Sequence, residues 1–308
     1  MALSFHIGKI PVRVQAWFFV LAAFLGAASD TRLILLLAWV AIVFGSVLMH
    51  ELGHALTGMA FGLSPSIELH GMGGTTSWTT TKKLSHVQRV AISLAGPFAG
   101  FAVWFAVRAV AAAGFIPRTP MSETILDDLF FVNVWWSILN LLPMLPLDGG
   151  NVMAQVLDAF MPGRGERPAR IASIGVAALM GVVVVATHYG IWGAFLVLSF
   201  VAINYQGLQT LKAREDDAPR REALKQAYEA LDARDAGRVL ALARPVALAS
   251  KTPQVRAEAL QLVAFGFLLE GRVADADAAI AALPAGYQPH AKLLEMRAAA
   301  ITASPARS

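Results

Sequence analysis

The sequence predicts an all-α polytopic membrane protein with about six transmembrane helices, a short glycine-rich β or re-entrant loop, and a C-terminal α-helical repeat domain. Three observations predict this. The 308 residues are 56% hydrophobic and only 15% charged, with mean hydropathy +0.58, which is too apolar for an ordinary soluble domain. The apolar residues fill the chain up to about Leu211, and the remainder is polar, Ala-rich and punctuated by charge. Three ionisable groups, His50, Glu51 and His54, sit inside the otherwise apolar run "VFGSVLMHELGHALTGMAFG", Val43 to Gly62.

The spans fall at roughly 14–29, 34–60, 88–116, 125–146, 170–188 and 191–211, each near or above the ~20 residues that a bilayer core requires. The stretch ahead of them, "MALSFHIGKIPVRVQ", interleaves apolar and polar residues and has no small-residue cleavage site, so it does not read as a signal peptide. Lys and Arg distribute unevenly between the spans. Lys9, Arg13, Lys82, Lys83, Arg89, Arg164, Arg167, Arg170, Lys212 and Arg214 make ten on one side, against Arg32, Arg108 and Arg118, three on the other. The cation-rich side belongs in the cytoplasm, which places both termini, the segment after the second span and the C-terminal domain there.

A membrane domain over 1–214 and a cytoplasmic domain over 215–308 follow. The first holds thirteen basic and nine acidic residues and the second twelve of each, so the whole net charge of +4 lies in the membrane part. The pI of 9.6 therefore reports membrane orientation and a lipid partner, with no nucleic acid implied. The absence of cysteine excludes disulfide and thiolate chemistry.

"HELGH" is an H-E-x-x-H pattern. On a helix, residues i and i+4 share a face, so His50 and His54 can bind one Zn²⁺, with Glu51 close enough to take a proton from water at the metal. Ionisable groups inside a span cost about 2.5–3.5 kcal/mol each on insertion scales, which argues for function over packing. Catalytic zinc wants a third protein ligand. Asp127, Asp128 and His188 fall on the wrong side of the bilayer by the charge count. Glu68, His70 and His86 lie in the right loop but lack a rigid helical frame, and Asp158 is a further acidic residue downstream. Asp148 closes "NLLPMLPLDGG", Asn140 to Gly150, where Pro143 and Pro146 break the helix and Gly149 and Gly150 let the backbone turn tightly. Broken backbone at membrane depth is tolerated only where it is buried in protein or lines a wet cavity. His50, His54 and Asp148 are the expected ligands.

"HELGH" in one span and "NLLPMLPLDGG" about 90 residues later resemble the site-2 protease family of intramembrane zinc metalloproteases. "GKIPVRV", Gly8 to Val14, resembles the N-terminal strand of the branch containing the bacterial sporulation-factor processing protease. "GMGG", Gly71 to Gly74, resembles the family's glycine-rich loop, and "SLAGPFAG", Ser93 to Gly100, its A-G-P segment. The resemblance covers about residues 5–160. It implies a zinc endopeptidase with metal ligands His50, His54 and Asp148, with Glu51 activating water, and with Asn140 orienting substrate or stabilising the oxyanion. An amide donor there suits an oxyanion, although Asn in a span also serves helix–helix hydrogen bonding. The chain departs from the family pattern at Gly100, where an Asn is common, and at Gln15, where a His often stands.

"SIELH" alternates like a strand and "TTSWTTT" is rich in β-formers, so Ser66 to Lys83 reads as a hairpin or as a simple connecting loop. A hairpin edge could pair with an unwound substrate, which makes Gly71, Gly73 and Gly74 candidate substrate-binding positions. In the C-terminal part, "AGRV" and "EGRV" put Gly237 and Gly271 34 residues apart, the tetratricopeptide period, with each Gly expected at a turn between paired helices. Such an array binds a protein or peptide; a plain helical bundle is the other reading. "TLKAREDDAPRRE" reads as the linker.

The expected partner of the enzyme is a transmembrane protein substrate, for example an anti-sigma factor or a signal-peptide remnant. A transporter using intramembrane His and Asp would show broken helices in both halves. A catalytically inactive scaffold of the same fold has no use for Glu51.

Overall fold

A computed structural model describes residues 2–27, 32–79, 82–186 and 190–303. The chain is mostly helical, but its first elements are strands. Ala2–Ile7 (β1) and Ile10–Gln15 (β2) form an antiparallel hairpin; Pro65–His70 (β3) and Gly73–Trp78 (β4) form another. The hairpins join through β2 and β3, which pair in parallel with Val12 opposite Ile67, giving one sheet of order β1-β2-β3-β4. Alternation selects the strand faces: Ile10, Val12 and Val14 of β2 and Ile67 and Leu69 of β3 are buried, while Pro11 and Arg13 are exposed. The expectation of an all-α fold with one short β loop is thus corrected to a helical protein carrying a four-stranded sheet. The N-terminal strand is incorporated because its apolar face continues that of "SIELH".

The helices of the first unit are Ala16–Ala27 (α1), Leu33–Ala60 (α2), His86–Ala112 (α3), Pro120–Phe130 (α4), Trp136–Asn140 (α5), Asp148–Phe160 (α6) and Glu166–Ala186 (α7), with a π-helical turn, Phe131–Trp135, between α4 and α5. Gly190–Asp232 (α8) follows. Among the described residues, four helices are long and apolar enough to cross a membrane: α2, α3, α7 and the part of α8 beginning at Gly193. The expected first span, 14–29, is helical over only 12 of its described residues, because Val14 and Gln15 belong to β2. The expected fourth span ends at Asn140, where "LLPMLPL" leaves the helix until Asp148. His188, and the ends of the expected first and fifth spans, lie outside the described residues.

The chain divides into two compact units, Met1–Tyr205 and Gln206–Ser308. In the second, the end of α8 packs with Ala236–Ala249 (α9), Pro253–Leu269 (α10), Val273–Ala281 (α11) and Ala291–Ala303 (α12). Helix α10 is its centre, buried continuously from Leu262 to Leu268. "TLKAREDDAPRRE" is not a linker but lies inside α8, where fully buried Asp217 bonds the segment to residues 250–252.

The repeat register also changes. Arg234 and Gly271 hold the left-handed turn positions (φ 55° and 74°). In each turn two backbone N–H groups close back on the preceding helix: Arg234 to Leu231 and Asp235 to Ala230, then Gly271 to Leu268 and Arg272 to Phe267. These equivalent turns are 37 residues apart (271 − 234), whereas Gly237 sits inside the first turn of α9. The 34-residue spacing of the two glycines is therefore not the structural period.

Candidate metal centre

Helix α2 carries His50 and His54 one turn apart, with imidazole centroids 4.8 Å apart at an 80° interplanar angle. Their Nε2 atoms are 3.1 Å apart. Asp148, the first residue of α6, brings Oδ2 to 3.2 Å from His50 Nε2 and Oδ1 to 3.4 Å from His54 Nε2. On the far side of the His54 ring, Nδ1–H donates to the backbone carbonyl of Ile92 in α3 at 2.6 Å. That bond leaves the Nε2 of neutral His54 with its lone pair turned toward Asp148.

Lone-pair atoms converging on one point need a cation between them. A tetrahedral zinc with bonds of about 2.0–2.1 Å sets its ligand atoms about 3.3 Å apart; the two Nε2 atoms are 3.1 Å apart, and each lies 3.2–3.4 Å from one of the two Asp148 oxygens, spacings of that size. Among the described residues this is the group of His, Asp and Glu side chains whose ligand atoms can hold a metal, all within 4.8 Å of one another.

Glu51 is buried on the adjacent face of α2, and its Oε2 accepts from Thr76 Oγ1 of β4 at 2.6 Å. Its other oxygen lies over Gly74, where an added Cβ would stand 2.5 Å from Oε1. Gly96 of the A-G-P segment is the corresponding close approach on α3: a Cβ there would run into His54 Nε2, and it would stand 2.7 Å from His50 Nε2. Pro97, beside Gly96, removes one backbone donor from the α3 ladder in the turn whose Ile92 carbonyl holds His54.

A cavity of about 1220 Å³ has His50, Glu51, His54 and Asp148 in its lining. Phe18, Val43, Val47, Trp136 and Phe200 supply apolar lining. Asn140, Gly71, Gly73 and Gly74 all line the same cavity. Deeper along α2, Asn133 of the π-helical turn is 1% exposed and donates to Ser46 Oγ at 2.8 Å and to the Leu129 carbonyl at 3.0 Å.

Glu68, His70, His86 and Asp158 have partners outside the ligand cluster. Glu68 accepts from Gln15 Nε2 at 2.9 Å across the parallel strands, which gives Gln15 a structural partner. His70 bonds Thr75 Oγ1 at 2.9 Å and receives the Met72 N–H, bracing the β3–β4 turn. His86 faces Gln155 at 3.3 Å and Asp158 at 4.0 Å, outside the ligand cluster. Sequence reasoning missed Thr76, Gly96 and the Ile92 carbonyl as groups that set the site. Only Gly96 carried a signal, through the A-G-P segment.

No protein-family model matches the chain. The chain is 34% identical over 140 residues to a Synechocystis sp. protein provisionally named zinc metalloprotease sll0528, covering 44% of this chain and 36% of that protein. It is 26% identical over 155 residues to zinc metalloprotease MJ0392 of Methanocaldococcus jannaschii, covering 50% of this chain and 44% of that one. The chain therefore spans less than half the length of these relatives. The solved site-2 protease from Methanocaldococcus jannaschii superposes with a TM-score of 0.50 at 20% identity, over 68% of this chain and 95% of that structure. By sequence the chain is homologous to proteins named as zinc metalloproteases, and by structure it shares the fold of a site-2 protease.

Proposed function

We propose that this protein is a multi-pass intramembrane zinc endopeptidase that hydrolyses a peptide bond in or near a transmembrane segment of another protein, as a step of regulated intramembrane proteolysis. The observation that carries the reading is the convergence of His50, His54 and Asp148 beside buried Glu51, inside a cavity with apolar walls. His50, His54 and Asp148 would hold the ion. Zinc bound there supplies Lewis acidity and an acidified water for amide hydrolysis.

The protein's own residues do the rest. Thr76 holds Glu51 through Oε2, leaving Oε1 to take the proton of the attacking water and return it to the leaving amine nitrogen. The Ile92 carbonyl orients His54. Asn140, at the C-terminal end of α5, offers an amide donor to the developing oxyanion. Strand β4 is an edge of the sheet and lines the cavity, so an unwound substrate can add to it as a strand, passing Gly71, Gly73 and Gly74. The excess of Lys and Arg in alternate segments between the spans supports a cytoplasmic location for the termini, the active site and the C-terminal domain. Fitting substrates are an anti-sigma factor or a signal-peptide remnant. The helical second unit would bind a protein or peptide partner.

The test is cleavage of a reporter with a transmembrane segment by the reconstituted protein, with zinc content measured in parallel. Wild type should bind zinc and cleave; Glu51→Gln should keep the zinc and lose about 10³-fold in kcat. Zinc bound without cleavage by wild type would indicate a scaffold, and metal crossing sealed vesicles would indicate a transporter.

A further inference from the structure

We propose that Ser173 of α7 and Asn204 of α8 are positioning residues for Asp148, acting through the backbone of Leu145; this rests on the zinc reading above. Leu145 lies in the non-helical segment between α5 and α6, three residues before the ligand. Its N–H donates to Ser173 Oγ at 2.8 Å, and its carbonyl accepts from Asn204 Nδ2 at 2.7 Å. Both side chains are fully buried. Each is also tied to its own helix: Ser173 Oγ donates to the Ala169 carbonyl at 2.7 Å, and the second Asn204 hydrogen goes to the Phe200 carbonyl at 2.9 Å. The hydroxyl proton and both amide hydrogens are thereby used, while Asn204 Oδ1 is buried with no hydrogen-bond partner among the described residues.

The two bonds grip opposite polar groups of a single peptide segment from two helices. Gly150 of α6 also lies against that segment, so close that a Cβ would stand 2.5 Å from the Met144 carbonyl oxygen. The segment is thus held by contacts with α6, α7 and α8. Its prolines deny it a helical ladder, and in a bilayer no water replaces a lost partner. Releasing either group of Leu145 lets the segment shift over α6. Asp148 then leaves the position from which its two oxygens meet both imidazoles.

Polar side chains between membrane helices also serve as general glue, so activity alone is not a sufficient readout. The experiment measures zinc affinity by chelator competition, and the visible spectrum of the Co²⁺-substituted full-length protein, for wild type, Ser173→Ala, Asn204→Leu and Ser173→Thr, with melting as the check on folding. Ser173→Ala and Asn204→Leu should each weaken zinc about 10-fold and shift the cobalt bands, as loss of a supporting partner typically does. Ser173→Thr, which keeps the hydroxyl, should hold zinc as wild type does. Wild-type affinity and an unchanged cobalt spectrum in both Ser173→Ala and Asn204→Leu overturn the proposal while leaving the zinc site standing. So does equal loss of affinity in folded Ser173→Thr and Ser173→Ala. Absence of zinc from wild type overturns the site and the proposal together.

Discussion

Asp148 in the first unit and Asp217 in the second are carboxylates with opposite surroundings. Asp217, in the second unit, is saturated with donors: the backbone N–H groups of Thr252 (2.7 Å) and Lys251 (3.2 Å), the hydroxyls of Ser250 (3.0 Å) and Thr252, and Arg220 Nη1 (2.8 Å). Among the described residues Asp148 has no such shell. Its oxygens face two imidazole nitrogens, one of which is held in its acceptor form by the Ile92 carbonyl. A buried carboxylate with every lone pair occupied by donors is part of the framework. A partly buried one that faces two imidazole nitrogens, one of them fixed as an acceptor, is left for a cation, and that difference separates structure from chemistry here.

Substitutions can break the comparison. The largest effect should come from Asp148→Ala: loss of zinc on dialysis and of peptide hydrolysis, with the melting of the second unit unchanged. Asp217→Ala should do the reverse, leaving zinc content intact and destabilising the second unit by about 3 kcal/mol, because several buried donors lose an ionised acceptor; chemical denaturation followed by hydrogen exchange in α10 measures it. If Asp217→Ala instead removed zinc, the two sites would not be independent.

Thr76→Val sharpens the account of Glu51. It removes the Thr76 hydroxyl's bond to Oε2 and should lower kcat about tenfold with KM nearly unchanged. The smallest effect concerns an exposed pair. Arg297 beside Asp277 holds the Asp277 carboxyl below the usual carboxylate range through a hydrogen bond and its charge. A lowered folded-state pKa means that the contribution is present above the ordinary value of about 3.9 and is lost as pH falls through the folded value. Protection of α12 amides should therefore be flat from about pH 5 to 8 and fall slightly only below about pH 4, since exposed pairs contribute little.

The parts of the site that could be read in advance were those set by short-range rules. Helical periodicity alone puts His50 and His54 on one face, and a proline-broken segment ending in a carboxylate is conspicuous in an apolar chain. Sheet formation was partly legible for the same reason, through the alternation of "SIELH". The parallel pairing of β2 with β3 was not, because it joins residues 55 positions apart, as Val12 and Ile67. The repeat in the second unit misled because "GRV" recurs by composition, while the turn needs a left-handed residue, and in the first turn Arg234 supplies it in place of a glycine.

Sequence by itself determined an apolar chain, a helix with two histidines in register, and a broken segment carrying one aspartate, since each follows from local spacing and solvent preference. Only the tertiary structure decided that the aspartate meets the histidines, that Thr76 reaches Glu51, and that Ser173 and Asn204 reach Leu145. Those contacts depend on how helices and strands distant in the chain pack. Packing is settled by the shapes and polar groups of many residues at once, so no single stretch of sequence contains it.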